Sequence, residues 1–163
     1  MKMKIMKAFV LSMFLISGGG ILFAQSPEAN SKPQNIKVME NSKQDSLAIT
    51  HVLDSYFKGI YEGDVALLGS TFYGATLLFG DVKGEPYFKT LDLYLDGVKN
   101  RKSPKDSGQP FKGDVISIRS FNSIAMAEVT VKMYSFNYHE LLSFHKIDGK
   151  WQIVNKMITD IPE

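Results

Sequence analysis

The stretch "FHKIDGKWQIVNKM", Phe144–Met157, is the strongest structural signal in this chain and contains its only tryptophan, Trp151. The dipeptide Asp148-Gly149 separates two runs that are rich in strand-forming residues. Asp-Gly favours a two-residue type I′ turn, because both residues tolerate a positive φ angle. The chain is therefore predicted to end in an antiparallel hairpin in which Lys146 lies opposite Trp151.

The register of this hairpin decides which side chains share a face of the sheet. A two-residue loop sets Leu142 opposite Asn155 and Glu140 opposite Met157, and it separates apolar from polar side chains. A three-residue loop with a bulge would shift the pairing by one residue. In either register, regular alternation puts Asn155 on the same face as Trp151.

The amide of Asn155 on an apolar face requires an explanation, because a buried polar group without a partner costs roughly 1–3 kcal/mol. One interpretation is that the amide bonds to a neighbouring backbone or to a helix. The other is that it is one of a few polar groups converging on a mostly apolar pocket, the usual design of a small-molecule site. Glu140 has the same two interpretations, unless the strand end simply exposes it.

Residues 1–24 have the pattern of a secretory signal peptide. Three lysines precede the apolar run Ala8–Ala24, and Ala24 offers a small residue for cleavage. The run is short for a membrane-spanning helix, which needs about 20 apolar residues. Cleavage predicts a periplasmic or secreted protein, with a retained membrane anchor as the alternative. The chain has no cysteine, so a lipid anchor on cysteine is excluded.

Charge and composition narrow the possible partners of the remaining chain. Residues 25–43 are polar and lack a sustained period, which predicts a flexible tether before a domain over residues 44–163. Of the 19 basic residues, three lie in the predicted leader, which leaves 16 basic against 17 acidic residues. Because this balance is near neutral, we expect no nucleic-acid partner and no membrane association after cleavage. The absence of cysteine excludes thiol catalysis and thiolate metal sites.

Hydrophobic spacing divides the domain into helices followed by strands. The predicted elements are a long helix over 45–64, a short helix over 65–71 capped by Asp64, two strands around a turn at Lys83-Gly84, a third helix over 90–102, a loop over 103–110, and four strands from Phe111 onward. Helices followed by a run of antiparallel strands predict an α+β fold, in which the helices cover one face of a curved sheet.

The apolar phase changes within the strand that is predicted to start at Ile124. One set of apolar residues occupies every second position as far as Met133. A second set, Tyr134, Phe136 and Tyr138, then alternates one residue out of phase with the first. A bulge near Met133 would turn both sets inward and bend the sheet. The alternative is an exposed aromatic row that covers a dimer contact.

Several motifs together carry a resemblance to a known family. They are "YFKGIYEGD", "FYGATLL", "LYLDGVKNR", "ISIRSFNSIAMAEV" and, most specifically, the closing "DGKWQIVNK". Over about Asp45–Ile158 the chain resembles the nuclear transport factor 2-like (NTF2-like) superfamily, and most of all its branch of small bacterial proteins named putative lumazine-binding. The resemblance implies a cone, in which a curved, mostly antiparallel sheet wraps around the long first helix. It also implies an internal cavity walled or plugged by Trp151, and a homodimer across the outer sheet face.

The resemblance implies no single function, because this superfamily includes isomerases, dehydratases, cyclases and transport adaptors on one scaffold. Relatives of the steroid-isomerase type place a base aspartate on the strand after the second helix. Here Phe79 stands at that position, and Asp81 follows two residues later. The putative lumazine-binding branch usually has an aspartate near the position of Glu140, so this chain keeps the charge on a longer side chain.

The three histidines do not form a metal site in any predicted arrangement. His51 lies on the polar face of the first helix, and His139 and His145 would be roughly 20 Å apart along one strand. Asp92 opens the third helix, where capping explains it. No phosphate-binding loop, nucleophile elbow or HExxH motif is present, so we expect no cofactor and no metal.

Three functional hypotheses follow from the sequence. The first is an exported, non-catalytic domain that binds a small apolar or aromatic ligand in a mostly apolar cavity lined by Tyr56, Phe136, Trp151 and Asn155, with Glu140 as a polar contact. The second is a lyase or isomerase that uses a cavity carboxylate, Glu140 or Asp81, as general base. The third is a partner-binding scaffold whose interior is filled by its own side chains.

Overall fold

The structure is a computed structural model that describes residues 41–161, with side chains from Lys43 onward. Its helices are α1 (Asn41–Glu62), α2 (Val65–Ser70), α3 (Leu91–Lys99) and α4 (Pro104–Ser107), and its strands are β1 (Phe72–Val82), β2 (Glu85–Thr90), β3 (Phe111–Phe121), β4 (Ile124–Met133), β5 (Phe136–Ile147) and β6 (Lys150–Asp160). The predicted signal peptide and residues 25–40 of the predicted tether lie outside the described residues. Residues 41–43, the end of the predicted tether, belong to α1.

The six strands form one curved sheet in the order β2-β1-β6-β5-β4-β3. β1 and β6 pair in parallel, and all other neighbouring strands of this sheet pair antiparallel. The last strand therefore lies in the middle of the sheet, between β1 and β5. The predicted α+β cone with a curved, mostly antiparallel sheet is confirmed.

One stripe of α1 packs against the inner face of the sheet. Ile49, Leu53, Tyr56 and Ile60 recur every three or four residues, and all four are buried. They share a single hydrophobic cluster with inward side chains of β4, β5 and β6. Since each fully buried aliphatic or aromatic side chain contributes about 1.5–3 kcal/mol, this stripe holds the helix inside the cone.

The helix boundaries follow the predicted signals. α1 stops before Gly63, whose φ of 70° lies in the left-handed region that favours glycine. Asp64 caps α2 by accepting a hydrogen bond from the Leu67 amide at 2.9 Å. The segment 103–110, predicted as a loop, instead contains the short helix α4, because Ser103 accepts a bond from the amide of Asp106 and caps its first turn.

Neither the bulge near Met133 nor the exposed aromatic row is present, because the chain turns there into a new strand and the aromatic side chains are partly or fully buried. Tyr134-Ser135 forms a two-residue turn that sets Met133 opposite Phe136. Tyr134 adopts a φ of 56°, which few non-glycine residues do, and its amide donates to the carbonyl of Pro110 at 3.2 Å. The aromatic residues after the turn therefore belong to β5.

The turn of the closing hairpin agrees with the prediction. Asp148 and Gly149 have φ angles of 48° and 77°, as a type I′ turn requires. Lys146 lies opposite Trp151, and Phe144 lies opposite Ile153. The two-residue loop therefore sets the predicted register up to this point.

A bulge at Val154 reverses the predicted faces in the second half of β6. Ile153 still pairs as predicted, but Asn155 pairs with Ser143, which leaves Val154 as an extra residue without a partner on β5. An extra residue reverses the alternation of side chains beyond it. Lys156 therefore points to the inner face, and Met157 is exposed. The prediction that Asn155 shares the face of the tryptophan is wrong for this reason.

Among the helices of residues 41–161, none combines the length and the apolar character that crossing a membrane requires.

Candidate functional site

A charged pair and a tyrosine hydroxyl lie together on the inner face of the sheet. Lys156 Nζ donates to Glu140 Oε1 at 2.6 Å and to the hydroxyl oxygen of Tyr56 at 2.5 Å. The Tyr56 hydroxyl in turn donates to Glu140 Oε2 at 2.7 Å. The lysine and glutamate side chains are 3% and 2% exposed. The three groups satisfy one another, as buried charges must if they are to remain ionised.

Three separate elements bring this cluster together. Tyr56 belongs to the buried stripe of α1, and Glu140 follows the regular alternation of β5. Lys156 reaches the same place only because the bulge at Val154 turns it inward. The irregularity in β6 therefore supplies the positive charge that the buried carboxylate needs.

The surroundings keep the tyrosine hydroxyls neutral. Burial, followed by the negative charge of Glu140, raises the pKa of Tyr56 well above its usual range. Burial is also the main cause that raises the pKa of Tyr94. Lys156 Nζ lies 5.2 Å from the ring centroid of Tyr56 and 5.1 Å from that of Tyr94, distances at which an ammonium group is attracted to an aromatic ring.

A cavity of about 50 Å³ adjoins the cluster. Its walls combine aliphatic side chains such as Val131 and Ile158 with six polar residues, namely Tyr87, Tyr94, Tyr138, Arg101, Glu140 and Lys156. This space is enough for a few water molecules or for a group of a few heavy atoms. Burial raises the pKa of Tyr87 and of Tyr138, so the tyrosines of the wall are neutral at neutral pH.

Two of the five predicted ligand-binding residues, Tyr56 and Glu140, meet in this cluster. Phe136 lies next to a residue of the cavity wall, because its ring stacks on Tyr138 with centroids 5.2 Å apart. Lys83 Nζ lies 4.7 Å from the centroid of the Phe136 ring. Phe136 is not in the cavity wall. It supports the wall through Tyr138.

Trp151 is buried elsewhere, against the start of α1. Its indole Nε1 donates to Asp45 Oδ1 at 3.1 Å, and Lys146 Nζ donates to the same oxygen at 2.9 Å. These bonds join the hairpin to the first described turns of the helix. Trp151 therefore closes this part of the core, and it does not line the cavity beside Lys156.

Asn155 lies outside the cone interior, on the outer face of the sheet. Its Nδ2 donates to the carbonyl oxygen of Leu77 on the neighbouring strand at 3.1 Å. The expectation that this amide lines an inner pocket is wrong, because the bulge turns it away. Of its two interpretations, bonding to a neighbouring backbone is the one that the structure bears out.

The carboxylates considered as alternatives to Glu140 lie away from the cluster. Asp81 Oδ2 accepts a hydrogen bond from Thr159 Oγ1 at 3.0 Å on the outer face. Phe79, at the position of the base in steroid isomerases, also faces outward and contacts Phe88 at 5.1 Å between centroids. Asp92 is exposed in the first turn of α3, where its charge suits the helix terminus.

The histidines are dispersed in the structure as well. His139 Nε2 lies 2.9 Å from Glu128 Oε1 on β4, and His51 is exposed on α1. Within residues 43–161, no group of three His, Asp or Glu side chains is arranged to hold a metal ion.

Sequence reasoning missed the two cations of the site, Lys156 and Arg101. Regular alternation along the last strand puts Lys156 on the polar face, as expected for a lysine, which is rarely buried unless it is paired. The signal of a bulge was the change of phase between the two halves of the strand, marked by the adjacent apolar pair Ile153-Val154 and by the inward Ile158. Arg101 was predicted to lie within the third helix, but α3 ends at Lys99 and leaves Arg101 in an irregular segment, where helical periodicity does not indicate which way its side chain points.

The geometry of the cluster favours binding over proton abstraction. A general base must lie within hydrogen-bond reach of the proton that it removes, and donors already bonded to it compete with that proton. Both oxygens of Glu140 already accept hydrogen bonds, one from Lys156 and one from Tyr56. The carboxylate thus orients the two donors beside the cavity, which gives the cavity a fixed polar wall.

Comparisons with known proteins agree with this fold. The model of the family described as "Putative lumazine-binding" matches residues 44–159. The chain is similar to the crystal structure of an NTF2-like protein of unknown function from Shewanella baltica OS155, with 24% identity, a TM-score of 0.66, and coverage of 74% of this chain and 97% of that one. No protein of the curated collection matches it.

A second similar structure is an NTF2-like protein of unknown function from Methylobacillus flagellatus KT. It is 24% identical, with a TM-score of 0.67 and coverage of 78% of this chain and 98% of that one. A third, from Silicibacter pomeroyi DSS-3, is 20% identical with a TM-score of 0.66, and the match covers 73% and 98% of the two chains. These likenesses establish the fold, and the family match extends over the whole described domain. The chain has the fold of these NTF2-like proteins, and it belongs to the "Putative lumazine-binding" family.

Proposed function

We propose that this chain is an exported domain that binds a small ligand in the cavity beside Lys156, Glu140 and Tyr56. The observation that carries the proposal is the cavity of about 50 Å³ next to three mutually bonded polar groups. Fixed polar groups that converge on a cavity beside aliphatic and aromatic side chains are the usual design of a small-molecule site. The signal-like leader supports export, and the family description agrees with a small ligand.

The size of the cavity limits the ligand. Typical sites for drug-sized ligands measure about 300–1,000 Å³, several times the space beside Lys156. The cavity suits a molecule of a few heavy atoms, or one end of a larger molecule. Val82, Tyr87 and Arg101 are only partly buried, so a longer ligand would extend toward the surface past these residues.

The test is a titration of methyl-labelled protein with small organic molecules, followed by NMR. Binding in the cavity shifts the methyl signals of Val131, Met133 and Ile158, which line it. The signals of Ile124 and Met126, exposed on the outer face, stay in place. The proposal is wrong if no molecule shifts the cavity methyl groups, or if the shifts concentrate on the outer face.

A pair of matched variants, each with one added methylene group, provides the control for this titration. Val131→Ile adds a methylene group to the cavity wall and should weaken binding. Val129→Ile adds the same group two residues away on β4, at a buried position outside the cavity wall, and should leave binding unchanged. Equal binding by both variants and the unmodified protein would contradict binding in this cavity.

We further propose that the outer face of the sheet is covered by a second copy of the chain. Large apolar side chains are exposed there, and a groove of about 1,050 Å³ runs across the face. The exposed apolar side chains of this face include Tyr73, Phe79, Phe121, Ile124, Met126 and Met157. Contiguous exposed apolar patches often mark interfaces, and one sheet face can pack on an identical face around a two-fold axis.

Sedimentation equilibrium tests the dimer. Met126→Lys places a charge on the outer face and should shift the chain toward monomer. Leu93→Lys is the matched control, because Leu93 is similarly exposed but lies on α3, so this variant should sediment like the unmodified chain. A monomeric unmodified chain at micromolar concentration would disprove the interface.

A further inference from the structure

Arg101 brings two unpartnered donors to the cavity. Its Nε and Nη2 are both buried from solvent, and neither has a hydrogen-bond partner among the described residues. Buried polar groups without partners cost roughly 1–3 kcal/mol, and more when they are charged. Two such groups on one side chain that lines a cavity indicate that a partner enters from outside the chain.

The two nitrogens lie on the same edge of the guanidinium group. Nε and Nη2 point their N–H groups in parallel, and this edge binds a carboxylate side-on through two hydrogen bonds. A single water molecule has one oxygen and cannot reproduce that geometry. The free edge therefore matches a planar group that presents two oxygens.

An aromatic ring lies against one face of the guanidinium group. Arg101 Cζ lies 5.9 Å from the ring centroid of Tyr134, so the ring packs near the plane of the cation. Tyr134 is itself held by a hydrogen bond from its hydroxyl to the carbonyl of Lys102 and by one from its amide to the carbonyl of Pro110. The β4–β5 turn thus holds the arginine, while its edge stays free.

The charges around the cavity also favour an anion. Lys156 and Glu140 form an ion pair with one another, so they contribute little net charge. The tyrosine hydroxyls of the wall are neutral, as described above. Among the residues of the cavity wall, Arg101 therefore supplies one excess positive charge, and in a site shielded from bulk water an opposite charge is attracted more strongly than in water.

We propose that Arg101 binds the carboxylate group of the ligand through Nε and Nη2. This inference rests on the proposed function and specifies the chemical class of the ligand, a small carboxylate or a molecule with a carboxylate at one end. A carboxylate fits the available 50 Å³. The tyrosines and aliphatic side chains around it would contact the carbon skeleton.

Acetate and acetamide test this proposal, because they share one heavy-atom skeleton and differ in charge. Each compound is titrated at pH 7 into the full chain, and added chloride salt keeps the ionic strength constant. The measurements are the cavity methyl signals and the side-chain Nε–H signal of Arg101. We expect acetate to shift both, and to bind roughly tenfold or more tightly than acetamide, as charge-assisted bidentate bonds imply.

Three variants separate charge, geometry and location. Arg101→Gln removes the cation and should abolish acetate binding, and Arg101→Lys keeps the charge without the side-on edge and should weaken binding roughly tenfold. Arg119→Gln removes the other arginine of the chain, which is exposed on β3, and should bind acetate like the unmodified protein. The lysine variant keeps the test meaningful if the glutamine variant does not fold.

The outcomes distinguish this inference from the proposed function. Acetamide binding as tightly as acetate, or full acetate binding by Arg101→Gln, overturns the carboxylate inference and leaves a cavity that binds small molecules. Acetate that shifts only surface lysine signals, with water alone in the cavity, overturns it as well. If no small molecule shifts the cavity methyl groups, the proposed function also fails.

Discussion

Lys156 Nζ and Glu140 Oε1 lie 2.6 Å apart in the interior of the cone, on neighbouring strands whose register is offset by the bulge at Val154. Tyr56 completes the cluster by bonding to both side chains. A buried ion pair adds little to stability compared with a well-packed apolar pair, but removing one partner leaves the other charge buried and unpaired. The cluster thus makes each of its members depend on the other two.

Lys156→Met should lower the free energy of unfolding by about 3–5 kcal/mol, because it leaves the Glu140 carboxylate unpaired in the interior. The double variant Lys156→Met/Glu140→Gln removes both charges and should recover at least half of that loss. Urea unfolding measures the free energy of unfolding of the double variant and of each single variant, Lys156→Met and Glu140→Gln. If the loss in the double variant equals the sum of the two single losses, the two side chains are not coupled and the described ion pair is wrong.

Tyr56→Phe should cost roughly 1–3 kcal/mol, because it removes a hydroxyl that accepts from Lys156 and donates to Glu140 in a buried site. Tyr61→Phe is the matched control on the same helix, since Tyr61 is 38% exposed, and it should change stability by less than about 0.5 kcal/mol. Thermal and urea unfolding provide the comparison. Similar losses in both variants would place Tyr56 outside the cluster.

The contact of Asp45 with Lys146 and Trp151 predicts a loss of stability in acid. The hydrogen bond from Lys146 is the main cause that lowers the pKa of Asp45 below its ordinary value of 3.8. A lowered pKa in the folded state means that the carboxylate stabilises the fold above pH 3.8, and that this stabilisation is lost as the pH falls through the lower, folded-state pKa.

Asp45→Asn tests this pH dependence. The unmodified chain should be more stable than the variant by a constant amount above about pH 5, and the difference should shrink below pH 3.8. Urea unfolding between pH 2 and pH 7 measures it, and tryptophan fluorescence reports on Trp151 directly. A difference that grows as the pH falls would contradict the sign of the pKa shift.

The position of Asn155 provides a test of the bulge. Asn155→Ala removes an exposed bond to the Leu77 carbonyl, so it should cost about 1 kcal/mol or less and leave ligand binding in the cavity unchanged. The same titration of methyl-labelled protein measures binding. Loss of binding in this variant would mean that the amide points inward after all, as regular alternation predicts.

Local sequence signals predicted the framework of this fold well. The Asp148-Gly149 turn and the Asp64 cap each depend on residues within a few positions of one another, so a short segment contains the whole signal. The curved sheet over the first helix followed from the order of these elements and from the family resemblance. Each of these features is present in the structure.

The interior of the site was harder to predict, because it depends on two local irregularities. The turn at Tyr134-Ser135 has a tyrosine at positive φ, and the bulge at Val154 has no glycine to mark it. Each change of phase moves every later side chain of its strand to the opposite face. One extra residue therefore replaced the amide of Asn155 with the ammonium group of Lys156 at the inner face.

A high-resolution crystal structure of the chain grown in acetate would show directly whether Arg101 binds a carboxylate. We expect electron density for a planar anion in the cavity, with one oxygen about 2.7–2.9 Å from Arg101 Nε and the other equally close to Nη2, beside an intact cluster of Lys156, Glu140 and Tyr56. A cavity filled by protein side chains, with Arg101 turned toward solvent, would contradict it.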